Sequence, residues 1–258
     1  MKWDSESKLN GILVLAAVIP IWESVSRAEL VNPLFFPPMS KILKSFFLLL
    51  LSGDLPYQIF LSLKRAAAGY LLSALVFIPL GVAMGLFQWV YRMLELVIEM
   101  ARPVPPPVMV PVAMLFFGLG DEMKIFVIFF SCAWPILLNT YDGVRNIDRI
   151  LIYTARTFGL SRRRTIAKVI VPAALPQIMT GLRVSLGIML ILVVISEMVG
   201  STDGIGYFIL DSQRRFKVDQ MYAGMLYLAI VGYALNRLFL LSYNSILAWH
   251  KGLTRNER

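Results

Sequence analysis

Six long apolar blocks, separated by shorter polar stretches, run along the chain: Leu9–Ser26, Ala66–Trp89, Leu94–Phe117, Lys124–Tyr141, Pro176–Val199 and Met221–Leu247. A hydrocarbon layer of about 30 Å needs roughly 20 predominantly apolar residues in helical form, and these blocks are about that long. They are continuous rather than alternating, which argues against a β-barrel. Each backbone N–H and C=O in lipid must be bonded within its own element, which favours helices. The pattern predicts an all-α, polytopic membrane protein with about six transmembrane helices. The first block follows Lys2 and Lys8 and has the outline of a secretory signal. Asp4 and Glu6 dilute that positive end and no small-x-small cleavage site follows, so a retained first helix is the expectation.

Two shorter elements stand apart from the spans. Pro37 and Pro38 interrupt the chain, Ser40 is placed to cap a helix over Lys41–Leu51, and Gly53 is placed to end it. A dozen residues cannot cross the bilayer. This helix either lies in the interface or simply connects two spans. The longest polar stretch, Asp142 to Val171, predicts two short helices, Asp148–Phe158 and Ser161–Val171. Gly159 breaks them and Ser161 caps the second. The first helix places Ile150, Leu151, Thr154, Ala155 and Phe158 near one face. That stripe either docks another protein or packs on its own bundle.

Charge sets the orientation. The formal net charge is +9, and much of it gathers in the polar stretch, at Arg145, Arg149, Arg156, Arg162, Arg163, Arg164 and Lys168, and in the tail, at Lys251, Arg255 and Arg258. The positive-inside rule puts these segments and both termini in the cytoplasm. Arg214, Arg215 and Lys217 fall outside, balanced locally by Asp203, Asp211 and Asp219. No separate basic domain exists to bind nucleic acid. Composition then removes most chemistry. With one cysteine, Cys132, and one histidine, His250, the chain has no internal disulfide, no multi-cysteine or His-cluster metal site, and no nucleophile–base constellation in the bundle. No catalytic residue and no metal ligand is assigned.

Several features inside the blocks are candidates for a solute pathway or gate. Pro103, Pro105, Pro106, Pro107 and Pro111 cannot all occupy a regular helix. Broken backbone at membrane depth is tolerated where it is buried in protein or lines a cavity. The run is therefore a pathway lining or a structural kink. Arg102 begins it, and the Glu99–Arg102 spacing permits an intrahelical pair, with Glu95 a turn earlier. Arg183 and Glu197 share the fifth block. Charges within a membrane usually face the bundle or water. Glu197, near the outer end, fits outer gating or a structural bond. Arg183 either attracts an anion or serves a structural or gating role, and Arg237 is equally open. Gly81 and Gly85 permit close helix packing in the second block.

A resemblance sharpens this reading. The spacing Tyr153-Thr154-Ala155, Gly159, Val169-Ile170-Val171-Pro172 resembles the cytoplasmic Glu-Ala-Ala loop of binding-protein-dependent ABC importer permeases, with Tyr153 and Thr154 in place of its Glu and first Ala. The surrounding runs FPPMSKIL, LSLKRAAAGYLLSALVFIPLGVAMG, ARPVPPPVMVPVAMLFFGLGDEMKIF, LSRRRTIAKVIVPAALPQIMTGLRVSLG and ISEMVGSTDGIGYFI resemble the nitrate, sulfonate, taurine and bicarbonate branch, from about Phe36 to Tyr243. The resemblance implies a type I ABC importer permease fold in a bacterial inner membrane and a pair of permeases, usually identical. It also implies two separate cytoplasmic ATPase subunits and an extracytoplasmic binding protein. Tyr153, Thr154, Ala155, Phe158, Gly159 and Pro172 would couple to the ATPase. ATP and Mg would bind on those partner subunits and no cofactor on this chain, which has no G-x-x-x-x-G-K-[ST] loop. The expected domains are 1–56, a first membrane helix plus an external interfacial helix; 57–247, the permease domain with its coupling loop 142–172; and 248–258, a cytoplasmic tail. The implied cargo is a small anion such as a sulfonate, taurine or nitrate, although the branch also includes importers of vitamin precursors. An ATP-independent secondary transporter is the rival, and it would need mid-membrane coupling carboxylates and often an internal repeat.

Overall fold

The computed structural model describes residues 17–248. The start of the first predicted span and the tail with His250 lie outside the described residues. Those residues are helical with no strand. Helix α1 covers 17–27, followed by α2 (Met39–Leu51), α3 (Asp54–Leu86) and α4 (Gln88–Ala101). After a single 3₁₀ turn at Pro106–Val108 come α5 (Met109–Phe117), α6 (Asp121–Arg145), α7 (Arg149–Thr157) and α8 (Arg162–Thr165). A π-helical turn at Ile166–Ile170 leads into α9 (Val171–Gly200), then α10 (Ile205–Arg214) and α11 (Val218–Ile246). Among the described residues four helices are long and apolar enough to cross a membrane, or five if the bent pair around Pro106 counts as one span. The described residues divide into two compact units, one drawn from 17–61 with Asp203–Ile230, the other from Ser62–Thr202 with 231–248.

In the first unit, the Glu23 carboxylate does the work expected of Ser40. Helix α2 starts with no side-chain cap of its own. Instead Glu23 accepts the Ser40 N–H at 3.0 Å and the Ser40 hydroxyl at 2.9 Å. A carboxylate at a helix start satisfies an orphan donor and favours the positive end of the dipole. Trp22 stacks on Phe36 with ring centroids 3.9 Å apart and donates to the Pro37 carbonyl at 3.0 Å. Gly53, at φ +84°, ends α2 as the sequence predicts.

The second unit is a tight bundle of α3, α6 and α9, and small residues set how close its helices lie. A Cβ on Gly69 would fall 2.8 Å from Ile128 Cβ, one on Gly81 2.7 Å from Thr140 Cβ, and one on Gly85 2.6 Å from Val144 Cβ. The pairing numbers rise together, so α3 and α6 run parallel. Segment 88–117 must then bring the chain back across the membrane in a single bent passage. Against α9 the order reverses: Gly143 faces Ala174 and Gln177, whereas Gly181 faces Pro135 and Asn139. Helices α6 and α9 are therefore antiparallel. They are tied at mid-length by Ser185 Oγ donating to the Cys132 carbonyl at 3.0 Å.

At the end opposite α7, charge closes this bundle. Glu197 is 0% exposed and Arg65 5% exposed. Arg65 Nη1 donates to Glu197 at 2.9 Å, its Nε to Asp121 at 2.6 Å, and Ser62 Oγ to Glu197 at 2.8 Å. Lys124 Nζ lies 3.7 Å from Asp121. Two cations and two carboxylates from three helices thus neutralise one another. Three substitutions probe this arrangement through the midpoint of thermal unfolding in detergent. Gly81→Leu drives a branched side chain into Thr140 and the Leu137 carbonyl and costs about 1–3 kcal/mol. Glu197→Leu, which leaves part of a buried guanidinium unpaired, costs about 3–5 kcal/mol. Glu197→Gln, which keeps an acceptor for Ser62, lowers the midpoint less.

Candidate functional site

The polar stretch after α6 folds as a hairpin, and local rules explain its shape. Asp148 caps α7 by accepting the Ile150 N–H at 2.8 Å, a bond that contributes about 1 kcal/mol. The helix stops in a two-bond terminus: Leu160 N–H reaches the Ala155 carbonyl at 3.1 Å, and Gly159 N–H reaches the Arg156 carbonyl at 2.9 Å. That motif needs a left-handed residue one place past the C-cap. Gly159 supplies it at φ +69°. Among the described residues nothing lies within 4 Å of where a Gly159 Cβ would sit, so the glycine makes the turn, as predicted, without a close approach to any of them.

The second predicted helix of the hairpin is not a separate element. It continues through the π turn into α9, so one run of 39 residues extends from Arg162 to Gly200. Ser161 holds the N-cap position but its side chain makes no capping bond. Pro172 explains the π turn. In a regular helix its ring would meet the carbonyl four residues back, at Lys168. A wider turn over 166–170 relieves that clash, and such turns are frequent at functional sites.

Helix α7 sorts its residues differently from the predicted stripe. Ala155 is 4% exposed and turns inward, where α7 packs on α8 and the π turn. Ile150 at 67%, Tyr153 and Phe158 at 79% exposure, together with Thr154, form the outer face. Leu151 stands between the two faces and is half-exposed. The small alanine lets α7 approach its support closely, while the large apolar side chains are left uncovered among the described residues. The hairpin end is strongly basic. Arg149, Arg156, Arg162, Arg163, Arg164 and Lys168 pair with no carboxylate among the described residues. Arg145 lies 5.8 Å and 5.7 Å from the ring centroids of Tyr91 and Tyr141, and Arg162 lies 5.0 Å from that of Phe87.

The proline run is broken more sharply than one continuous third span would allow. Helix α4 ends at Ala101, and the Pro106–Phe117 helical segment leaves at 83° to it. Pro103, Pro105, Pro106 and Pro107 remove four of the five backbone N–H donors between positions 103 and 107. What remains is a Val104 N–H to Ala101 carbonyl turn of 3.2 Å and a Val108 N–H to Pro105 carbonyl turn of 3.0 Å. Pro103, Pro105 and Pro107 are exposed, as is Arg102, and Pro106 is half-buried. The Glu99–Arg102 pair that the spacing permits does not form; Glu95 instead accepts from Tyr91 at 2.7 Å. Arg183 sits near the middle of α9 and is exposed on the single chain. Glu197, by contrast, is sealed in its ion cluster.

That cluster holds the residues that sequence reasoning missed. Arg65 falls one place before the predicted second span, but α3 begins eleven residues earlier, at Asp54, so Arg65 lies inside it. The available signal was an arginine at the edge of an apolar block, with a carboxylate at the matching depth of another. Among the described residues no group of three or more His, Cys, Asp or Glu is placed to hold a metal ion.

Known proteins share both this sequence and this architecture. Residues 77–248 match the family described as binding-protein-dependent transport system inner membrane component. The chain is 33% identical to the putative aliphatic sulfonates transport permease SsuC of Bacillus subtilis, over 93% of this chain and 87% of that protein. It is 30% identical to the taurine transport system permease TauC of Escherichia coli, over 97% and 94%. In fold it resembles a chain of the MetNI methionine ABC transporter in an inward-facing conformation, with a TM-score of 0.64 at 18% identity, covering 74% of this chain and 95% of that one. A helical bundle of this topology, a polar hairpin where the family's loop pattern falls and a family match over most of the chain agree: it belongs to the binding-protein-dependent transport system inner membrane components, as a multi-pass permease of an ABC importer with the type I fold.

Proposed function

We propose that the α7–α8 hairpin seats this permease on a separate ATPase subunit, and that two copies of the chain together form the pathway for a small anion. The single observation that carries this reading is the outer face of α7, with Ile150, Tyr153 and Phe158 exposed at the end of a membrane bundle. An uncovered apolar helix face of that kind fits a groove on another protein. The basic surroundings support a cytoplasmic position under the positive-inside rule, which would put both termini on the same side. ATP and Mg would bind to the ATPase partners. An extracytoplasmic binding protein would deliver the solute.

The coupling is mechanical. Closure of two ATPase subunits around ATP displaces whatever is seated in them. The two-bond terminus at Gly159 and the packing of Ala155 hold α7 firmly against the start of the Arg162–Gly200 run. At 1.5 Å per residue that run is about 58 Å long. A shift at the hairpin is therefore delivered along one helix to the Arg65–Glu197 cluster at its far end. Switching which side of the bundle is open then needs no bond chemistry in this chain, only rigid-body tilting between two packed states. Pro172, at the π turn, lies where such a helix would bend.

The anion reading is supported by Arg183. A guanidinium near the middle of a span is costly unless it meets water or protein, and here it is exposed on the single chain. It would face the pathway or the second copy. The bend at Pro103–Pro107 and the exposed Arg102 support the same route, since irregular backbone at this depth lines cavities in transporters. The SsuC and TauC relatives are named for aliphatic sulfonates and taurine. A sulfonate, taurine or nitrate is the cargo class we assign.

Two experiments test this reading. In a Cys132→Ser background, Phe158→Cys crosslinks to the ATPase subunit while Ala155→Cys, turned inward, does not; crosslinks confined to the permease would overturn the docking assignment. Gly159→Asn, which tolerates the left-handed conformation, retains substrate-stimulated hydrolysis in proteoliposomes. Gly159→Val, a β-branched residue in that conformation, loses most of it. Equal activity of the two would remove the turn from the mechanism.

A further inference from the structure

A cleft of about 440 Å³ lies in the crook between α7, the π turn and the end of α3. Its walls include Leu86, Ile152, Leu160 and Ile166, and its polar edge is formed by Arg156 and Arg162. The size falls within the range of about 300–1,000 Å³ typical of ligand sites. Neither arginine has a carboxylate partner among the described residues, and no acidic side chain lines the cleft. Arg162 is oriented by the Phe87 ring beneath its guanidinium, 5.0 Å from the centroid. Thr165, also in the wall, gives its hydroxyl proton to the Ser161 carbonyl, leaving its oxygen only as an acceptor. The site therefore offers two cations over an apolar floor.

Its place in the fold narrows the occupant. Leu86 is the last residue of a membrane span, and Trp89, three residues on, is exposed. Exposed tryptophan at a span end marks the depth of the lipid headgroups. An apolar floor at that depth suits glycerol and the first carbons of acyl chains. The two guanidinium groups suit a phosphate diester, which arginine engages through paired N–H donors. A soluble anion would have no use for the floor, and a neutral headgroup would leave the arginines uncompensated. Basic pockets between spans on the cytoplasmic side bind acidic headgroups.

We propose that this cleft binds an acidic phospholipid, with Arg156 and Arg162 clamping its phosphate diester. Occupancy would tie α7 to the span ends and hold the hairpin in its docking position. This deepens the coupling reading and rests on it for any effect on hydrolysis, but binding itself does not depend on that reading.

The test uses the full chain, purified and delipidated, then returned to nanodiscs of phosphatidylcholine alone or of an equal mixture of phosphatidylcholine and phosphatidylglycerol. Native mass spectrometry on release counts the retained lipid. Phosphatidylglycerol is expected to be retained preferentially, and Arg156→Gln and Arg162→Gln each to weaken retention about five-fold. Leu160→Trp, which fills the floor and leaves both charges, is expected to weaken it as well. Equal retention of phosphatidylcholine, or full displacement by inorganic phosphate at matched concentration, would overturn the proposal; the second outcome would assign the arginines to a free anion. If the arginine variants keep their lipid but lose the ATPase subunit in a pull-down of the assembled complex, the arginines belong to a protein contact and the proposal falls. The Phe158→Cys crosslink is read in the same preparations, so failure of lipid binding with the crosslink intact leaves the docking assignment standing.

Discussion

The Arg65–Glu197 pair is the constraint on which the arrangement of the second unit turns. A buried carboxylate in a membrane bundle is tolerable only with a cation and hydrogen bonds to complete it. Glu197 obtains these from Arg65 and Ser62 on α3, and Arg65 also donates from Nε to Asp121 of α6. Three helices must therefore meet at the same depth with fixed rotation. The glycine rows of α3 then set how closely the helices lie along the rest of their length. Charge at one end and backbone proximity along the shaft make α3, α6 and α9 behave as one body.

The opposite end of that body has a different character. Among the described residues it carries no internal ion pairs and leaves large apolar side chains uncovered on α7. The contrast follows from how each end meets its surroundings. One end satisfies itself, so it needs no partner to be stable. The other is well capped in its backbone, through Asp148 and Gly159, but incomplete in its side chains. Firm backbone with unsatisfied surface is what a docking element requires, because a partner then meets a preformed shape and little ordering entropy is lost. The arginine cleft draws on Ile152 and Arg156 of the same helix whose outer face carries Ile150, Tyr153 and Phe158.

The broken third span resolves a topological requirement. Parallel packing of α3 and α6 obliges the chain to recross the membrane between them, and Pro103–Pro107 make that crossing angular. The exposed prolines and Arg102 surround a corner rather than a slight kink. Together with Arg183, this puts polar and irregular structure on surfaces that a second copy of the chain or a water-filled route would complete.

Much of the fold was legible in the chain because the signals are local. Hydropathy marks a span through the residues of that span, and the all-helical class follows from the same blocks. Gly159 announces a left-handed turn whatever surrounds it, and Gly53 does likewise. The position of the hairpin was readable for the same reason. What tertiary structure alone decided are relations between distant residues. Arg65 and Glu197 are 132 positions apart, and their meeting depends on the register of three helices, each set by packing. Glu23 displaced Ser40 as the cap of α2 because a neighbouring helix delivered a carboxylate. Ala155 turned away from Phe158 because α7 had a support to lean on, and a helical wheel alone does not say which side that support lies. Helix periodicity is written in sequence, but the rotation of one helix against another is a property of the packed bundle.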